Sequence, residues 1–381
     1  MQNIGYHYSY LEVDLGIIRQ NFQNLQKVCG DRKIIPVAKG NAWGQGTVPV
    51  VSMLFDTLGV DTVALAHVAE AVKVREAGYT SQTIMILSGV PLHAIPYVVK
   101  YRLLMMVYNR ETVDALSKAV REAGIDSFPI QIKVDTGFHR IGVPMEGLSE
   151  LIDAVLAAGN LEIAGFCSHY ADAYNIGSEK TLEQYALYKE ALALIRSKGV
   201  EPKYISVGCS PNVDWPEDTL STHIRVGWGY IAYTPAKGFE DYHGNLAAMS
   251  LRSFITDIHE LKAGDTLGYS NVVLDKPTTT ATISIGYCDG LYRQLTMHGA
   301  PLLIRGQYAH YLDESMDQTI IDVTGLDVHL GDEVTIFGKD KYSDMVLTPT
   351  ELAPYADGSS SILHLYLSDR VARIYTDSMS S

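Results

Sequence analysis

The chain has 381 residues, 47% of them hydrophobic, with a net charge of −14 and a sequence pI near 5.3. Such an acidic balance excludes a surface built for nucleic acid or an anionic membrane, where Lys and Arg must cluster against phosphates, and the length points to two domains. No stretch of about 18 apolar residues occurs, and Met1 to Tyr10 lacks a signal-peptide layout, so a cytoplasmic protein acting on small molecules is expected. Cys29, Cys167, Cys209 and Cys288 are far apart in the chain, without the spacing of a zinc site or a disulfide framework. Reduced thiols and no metal are expected.

Taken in order, Tyr8 to Val13 alternates as a strand does, and Gly16 to Cys29 sets Ile17, Ile18, Phe22, Leu25 and Val28 on a helical stripe that Gly30 stops. Eight short apolar runs follow: Ile34–Ala38, Thr62–Ala66, Thr83–Leu87, Leu103–Val107, Ile130–Val134, Leu161–Cys167, Lys203–Val207 and His223–Val226. Helical patterns separate most of them, among them Val68–Ala77, Thr112–Ala123, Leu148–Ala158 and Leu182–Lys198, with Gly78, Gly124, Gly159 and Gly199 as stops. Buried strands alternating with helices predict an α/β fold, a (β/α)8 TIM barrel over residues 14–241, with a doubly wound open sheet as the alternative.

Beyond Tyr242 the helical stripes nearly vanish. Met249–Ile255, Thr279–Ile285, Pro301–Ile304, Gln318–Asp322, Glu333–Phe337 and Val371–Tyr375 read as strands, with turns at Gly264-Asp265 and Gly331-Asp332. They predict a C-terminal all-β domain over residues 242–381. The N-terminal strand within residues 1–13 is expected to pair with that domain, and Thr376–Ser381 reads as a frayed tail.

Barrel active sites lie at the C-terminal ends of the strands. The polar residues just after the apolar runs are Lys39; Asp135, Thr136, His139 and Arg140; Ser168 and His169; Ser210 and Asn212; and Arg225 with Gly227 and Gly229. Lys39 follows Ile34-Ile-Pro-Val-Ala directly, where a desolvated amine becomes nucleophilic and suits carbonyl or pyridoxal phosphate chemistry. Each residue also has a plain reading: a lysine opening a loop, a satisfied core histidine at 169, a surface ion pair at Arg140. Together they describe a mouth of cations and N–H donors fit for a phosphate or carboxylate.

Longer motifs carry a resemblance. Val37-Ala-Lys-Gly-Asn-Ala-Trp-Gly-Gln-Gly46 resembles the cofactor-lysine motif of alanine racemases, Lys133-Val-Asp-Thr-Gly-Phe-His-Arg-Ile-Gly142 their fifth-strand motif, and Ile224-Arg-Val-Gly227 their arginine and phosphate segment. Leu267-Gly-Tyr-Ser270, Ile285-Gly-Tyr-Cys-Asp-Gly290, the segment from Ser315 to Thr324, and Asp369-Arg-Val-Ala-Arg-Ile-Tyr375 follow in the family's order. The resemblance implies a pyridoxal 5'-phosphate enzyme with two bases, Lys39 carrying the cofactor and Tyr269 reaching in from the opposite subunit of a head-to-tail homodimer. It further implies that Arg225 faces the pyridine nitrogen, that Arg140 and the main chain at Met316 meet the substrate, and that His169 lies beside the cofactor ring. Ser210, Gly227 and Trp228 would cradle the phosphate, and Lys133 matches a position that the family often carbamylates.

Two departures stand out. Trp43 replaces a phosphate-binding tyrosine, and Ser361 falls where the family has a second tyrosine that narrows the entrance, so a side chain larger than methyl, serine first, becomes a candidate substrate. At the outer entrance Asp313 falls on an arginine and Tyr174 on an aspartate, with Asp172 close by, which suggests tolerance of polar or cationic amino acids. Other readings are a decarboxylase with the same cofactor, a non-catalytic pyridoxal phosphate-binding protein, and an unrelated phosphate-ligand barrel in which Lys39 is only electrostatic.

Overall fold

The computed structural model describes residues 4–231 and 242–379. Contacts divide the chain into two compact units, one of Phe22–Ala42 and Thr47–Tyr230, the other of Met1–Asn21, Trp43–Gly46 and Ile231–Ser381. The domain limit read at residues 241 and 242, and the outermost residues 1–3 and 380–381, fall at or beyond the edges of the described residues.

Strand β1 (Ser9–Asp14) belongs to the second unit. The first unit carries eight strands: β2 (Lys33–Pro36), β3 (Thr62–Leu65), β4 (Thr83–Ile86), β5 (Leu104–Val107), β6 (Phe128–Lys133), β7 (Leu161–Cys167), β8 (Tyr204–Ser206) and β9 (His223–Val226). Strands β3 to β8 form one parallel ladder, β2 pairs in parallel with β9 through Ile35 and Arg225, and a bridge from Val37 to Ala64 joins β2 to β3. This is the (β/α)8 barrel. Because strand side chains alternate, Ile35, Val37, Ala64, Met85, Leu104 and Tyr204 meet in one buried cluster that fills the interior. Two residues beyond Tyr204 and His223 on the same faces stand Ser206 and Arg225, so the layer above the core is polar.

One helix, Thr47–Leu58, answers to no stripe in the sequence reading. Val48, Val50 and Val51 are β-branched and Pro49 lies among them, which argues against a helix by propensity. Pro49 nonetheless sits in the first turn, where its missing N–H costs nothing, and the burial of Val50, Val51, Met53, Leu54 and Phe55 decides the outcome.

The second unit is built on one nine-stranded sheet. Its further strands are β10 (Met249–Leu261), β11 (Thr266–Leu267), β12 (Val272–Val273), β13 (Thr278–Ile283), β14 (Pro301–Ile304), β15 (Gln307–Glu314), β16 (Thr319–Asp322), β17 (Glu333–Lys339), β18 (Val346–Leu347) and β19 (Ala372–Thr376). The sheet order is β18-β17-β14-β15-β16-β13-β10-β1-β19, with β11 and β12 forming a separate hairpin. Strand β1 lies between β10, antiparallel, and β19, parallel. The tail is not frayed as far as it is described: β19 runs to Thr376 and the Asp377 carboxylate accepts two hydrogen bonds of 2.9 Å from Arg19. Among the described residues no helix is long and apolar enough to cross a membrane.

Candidate active site

Lys39 leaves the barrel straight after two backbone ties, Val37 N–H to the Val226 carbonyl at 2.7 Å and Ala38 N–H to the Ala64 carbonyl at 2.9 Å. The chain then coils left-handed, with φ of 64° at Gly40, 55° at Asn41, 50° at Ala42 and 57° at Trp43. Each non-glycine residue in that region costs about 1–2 kcal/mol, so the turn must be held from outside. Glu70 does this. One carboxylate oxygen accepts the N–H groups of Gly40 (2.7 Å) and Asn41 (3.2 Å), and the other accepts those of Ala66 (3.0 Å) and His67 (3.1 Å). The sequence reading passed over Glu70. Its signal was a glutamate at the third position of the helix Val68–Glu76, where a side chain reaches back to the N-cap.

The four residues Trp43–Gly46 are fastened within the second unit. His364 Nδ1–H donates to the Trp43 carbonyl at 2.7 Å, Arg373 Nε–H to that of Gly44 at 3.1 Å, and the Tyr375 hydroxyl to that of Gln45 at 2.8 Å. Ser361 opens the short helix Ile362–Leu365 that carries His364, so the two departures from the family, at Trp43 and Ser361, belong to one local cluster. The Ser361 hydroxyl lies 3.4 Å from that of Ser359.

At the barrel mouth four cations, Lys39, Lys133, Arg140 and Arg225, act on one another. Lys39 touches solvent, yet the surrounding protein removes enough water to lower its pKa, with Arg140 and Arg225 adding to the effect and Glu70 opposing it. Lys133 is buried and likewise lowered, first by desolvation. Arg225 is the fixed point. Its guanidinium donates to the carbonyls of Ser206 (2.9 Å), Ser168 (2.6 Å) and Val207 (3.2 Å), to the Ser206 hydroxyl, and at 3.5 Å to His169 Nδ1. Burial, then Arg225 and the other cations, hold His169 well below its ordinary pKa, so at neutral pH it is an uncharged acceptor toward Arg225.

The loop after β6 shapes the rim. Burial pushes the Asp135 carboxyl up, but N–H bonds from Gly137 (2.9 Å) and His139 (3.1 Å) and the nearby imidazole bring it below the usual range. Arg140 stacks 4.2 Å above the Phe138 ring, itself 5.4 Å from His169, so Phe138 joins the site although only its motif had been noticed. Thr136 and Ser168 share a hydrogen bond of 2.8 Å, and Asn212 ties Cys209 N–H to the Ala173 carbonyl; these three brace loops. The Ser210 hydroxyl accepts the N–H groups of Gly227 (3.0 Å) and Gly229 (3.2 Å) at the start of the short helix Trp228–Ile231. Trp228 is buried and stacks in parallel with Tyr174 at 6.3 Å.

These residues fit the cofactor that the motifs imply. Pyridoxal phosphate brings a dianion and an aldehyde, and this mouth, in a protein of charge −14, gathers four cations, a hydroxyl with backbone donors beside it, and an amine of lowered basicity.

Tyr269 and Met316 lie in the second unit, both well exposed at 86% and 51%. Tyr269 tops the β11–β12 hairpin, and the Met316 carbonyl accepts the Cys288 N–H at 3.0 Å. Asp313, expected at the entrance, is only 5% exposed, and its carboxylate accepts the Ser270 hydroxyl at 2.7 Å.

Comparison with known proteins agrees with this arrangement. Residues 13–235 match the family model for the alanine racemase N-terminal domain and residues 248–375 that for the C-terminal domain. An alanine racemase of Methanococcus maripaludis is 30% identical over 345 residues, covering 88% of this chain and 90% of that protein, and alanine racemase 1 of Clostridium acetobutylicum is 29% identical over 96% and 95%. Among solved structures, the alanine racemase of D-cycloserine-producing Streptomyces lavendulae superposes with a TM-score of 0.90 at 26% identity over 98% of both chains. That of Bacillus anthracis with bound L-Ala-P has the same TM-score at 27% identity, over 98% of this chain and 96% of its own. With both domains matched in order over a barrel and a β domain, the chain belongs to the alanine racemase family.

Proposed function

We propose that this protein interconverts L- and D-alanine with pyridoxal 5'-phosphate, using Lys39 as one base and Tyr269 as the other. The observation that carries the reading is Lys39 itself: an amine at the barrel mouth, lowered by desolvation and flanked by Arg140 and Arg225, keeps a neutral fraction able to bond a carbonyl and take a proton. Pyridoxal phosphate, when bound, supplies the electron-withdrawing ring that acidifies the substrate's Cα–H. Inverting the stereocentre needs a proton removed from one face and returned on the other, so two groups of matched basicity must flank it. Lys39 Nζ serves one face and the Tyr269 hydroxyl the other.

Arg225, locked by three carbonyls, holds the pyridine nitrogen as a donor that cannot release its proton. His169 would lie beside the ring, Ser210 with Gly227 and Trp228 would hold the phosphate end, and Arg140 would orient the substrate carboxylate. Lys133 is carbamylated: a buried amine lowered by desolvation and by the nearby Arg225 and Arg140 supports this, and the new negative charge steadies Arg140. The exposure of Tyr269 and Met316 supports their contribution to the opposite subunit's site in a head-to-tail homodimer. Four free cysteines support a cytoplasmic setting.

Serine is the second substrate to test, because Ser361 falls where the family has a tyrosine that narrows the entrance. The deciding experiment pairs the long-wavelength absorbance of the purified protein with racemisation of L-Ala and L-Ser, before and after Lys39→Ala. The parent is expected to show the band and the activity, and Lys39→Ala to lose the band and at least about a thousandfold in rate. A coloured parent without racemisation would favour a non-catalytic cofactor binder, and carbon dioxide release would favour a decarboxylase.

A further inference from the structure

Tyr269 stands on a weak support. The β11–β12 hairpin has two residue pairs, Thr266 with Val273 and Leu267 with Val272, extended at its base by bonds from Gly264 N–H to the Leu274 carbonyl (2.7 Å) and from Leu274 N–H to that of Asp265 (2.9 Å), and so short a ladder has little stability of its own. Its tip, Gly268 to Asn271, turns through positive φ at both ends, 65° at Gly268 and 48° at Asn271. A base must nonetheless be fixed to within a fraction of an ångström.

Across from the tip, at the end of β15, lies Asp313. Its Oδ1 accepts the Ser270 hydroxyl at 2.7 Å, and its Oδ2 lies 3.5 Å from the Ser270 N–H. The carboxylate is pressed so close to Gly268 that an added Cβ there would come within 1.6 Å of Oδ2. So Gly268 is required both by its φ and by this approach. Around the contact is a cavity of about 300 Å³ with Tyr269, Glu314 and Gln318 in its wall, which leaves the tip without packing on that side. A buried carboxylate that donates nothing and accepts from the residue next to Tyr269 is a directional tie where apolar packing is thin.

We infer that Asp313 is a positioning residue for Tyr269: through Ser270 and Gly268 it sets the height and direction of the hairpin tip. The inference rests on the proposal that Tyr269 is the second base. It also reassigns Asp313 from substrate selection to holding that base in place.

The test uses the full-length enzyme loaded with pyridoxal phosphate and the variants Asp313→Ala, Asp313→Asn and Ser270→Ala, with Tyr269→Phe as reference. Hydrogen exchange of the peptide covering residues 266–273 is expected to quicken severalfold in Asp313→Ala, to recover in Asp313→Asn, and to stay at parent values in the barrel. The kcat for alanine should fall about tenfold in Asp313→Ala with KM within about twofold. The isotope effect from α-deuterated alanine should rise in one direction of racemisation alone, the direction in which the Tyr269 side removes the proton. Unchanged exchange at 266–273, or isotope effects raised equally in both directions, would overturn the inference. If Tyr269→Phe races on at the parent rate, the base assignment fails, while the exchange data still judge whether Asp313 holds the hairpin.

Discussion

The barrel mouth and the Tyr269 hairpin solve one problem, holding a reactive group still, by opposite means. Lys39 stands beyond a parallel ladder, its flanking backbone tied to two neighbouring strands and its left-handed turn gripped by two N–H bonds to Glu70, which two more anchor at Ala66 and His67. Tyr269 stands on a short hairpin of two residue pairs with a few flanking backbone bonds, and on one carboxylate. Support at the mouth is shared among many bonds, so single changes there are felt as stability; support at the hairpin is concentrated, so a single change is felt as geometry. The same contrast separates the electrostatics, since the mouth sets its amines by mutual repulsion and desolvation whereas Tyr269 is open to solvent.

The largest break is expected from Arg225→Leu. It takes the guanidinium donor from the carbonyls of Ser168 and Val207 and leaves that of Ser206 with the Ser168 N–H alone, and should cost about 3 kcal/mol even after relief of repulsion among the cations. Urea unfolding measures it. Exchange at residues 266–273 should stay at the parent rate, because that hairpin belongs to the other unit; faster exchange there would erase the distinction between the two regions.

Acid probes both units together. Burial pushes the buried imidazole of His364, in the second unit, down to about 4, and that of His223, in the barrel, to about 4 as well. In the unfolded chain a histidine titrates near 6.5, so below that pH the unfolded state takes up protons first. Their stabilisation is therefore whole above about pH 6.5 and lost as pH falls toward 4. For His364 the loss reaches about 3 kcal/mol, and it is smaller for His223. Urea unfolding between pH 7 and 4.5 should show the decline, and His364→Gln should flatten it; a flat parent profile would contradict neutral burial of His364 against the Trp43 carbonyl.

The smallest effect should come from Glu70→Gln. A carboxamide offers one acceptor oxygen, so one pair of N–H groups, at Gly40 and Asn41 or at Ala66 and His67, loses its partner, at a cost of about 1 kcal/mol for so solvent-accessible a site. Glu70 also holds the Lys39 amine up, so its loss lowers that amine further, and the apoprotein should combine with pyridoxal phosphate at lower pH than the parent. Calorimetric melting and the pH dependence of cofactor uptake would measure the two parts.

Much of the barrel was legible because its signals are local. The eight apolar runs and their glycine stops mark strands within a residue or two of those observed, and Lys39, Asp135, His169 and Ser210 come soon after them, with Arg225 within the last. Strand β15 escaped because Gln307, His310, Asp313 and Glu314 break its apolar pattern. The helix Thr47–Leu58 escaped because its propensity and its burial disagree. Glu70, Ser206 and Phe138 escaped as site residues because their distant contacts, with Gly40 and Asn41, with Arg225 and with His169, leave no mark near them in the chain.

What the sequence by itself determined is therefore the alternation that builds the barrel, the lysine at its first strand, and the motifs that assign the family. These depend on periodicity and on residues that are neighbours in the chain. Tertiary structure alone decided where the charges go: that Glu70 grips the turn after Lys39, that Arg225 is locked by carbonyls from two other strands, and that Asp313 meets Ser270. A buried charge is set by the partners that folding brings to it from distant parts of the chain, and no spacing along the chain records them.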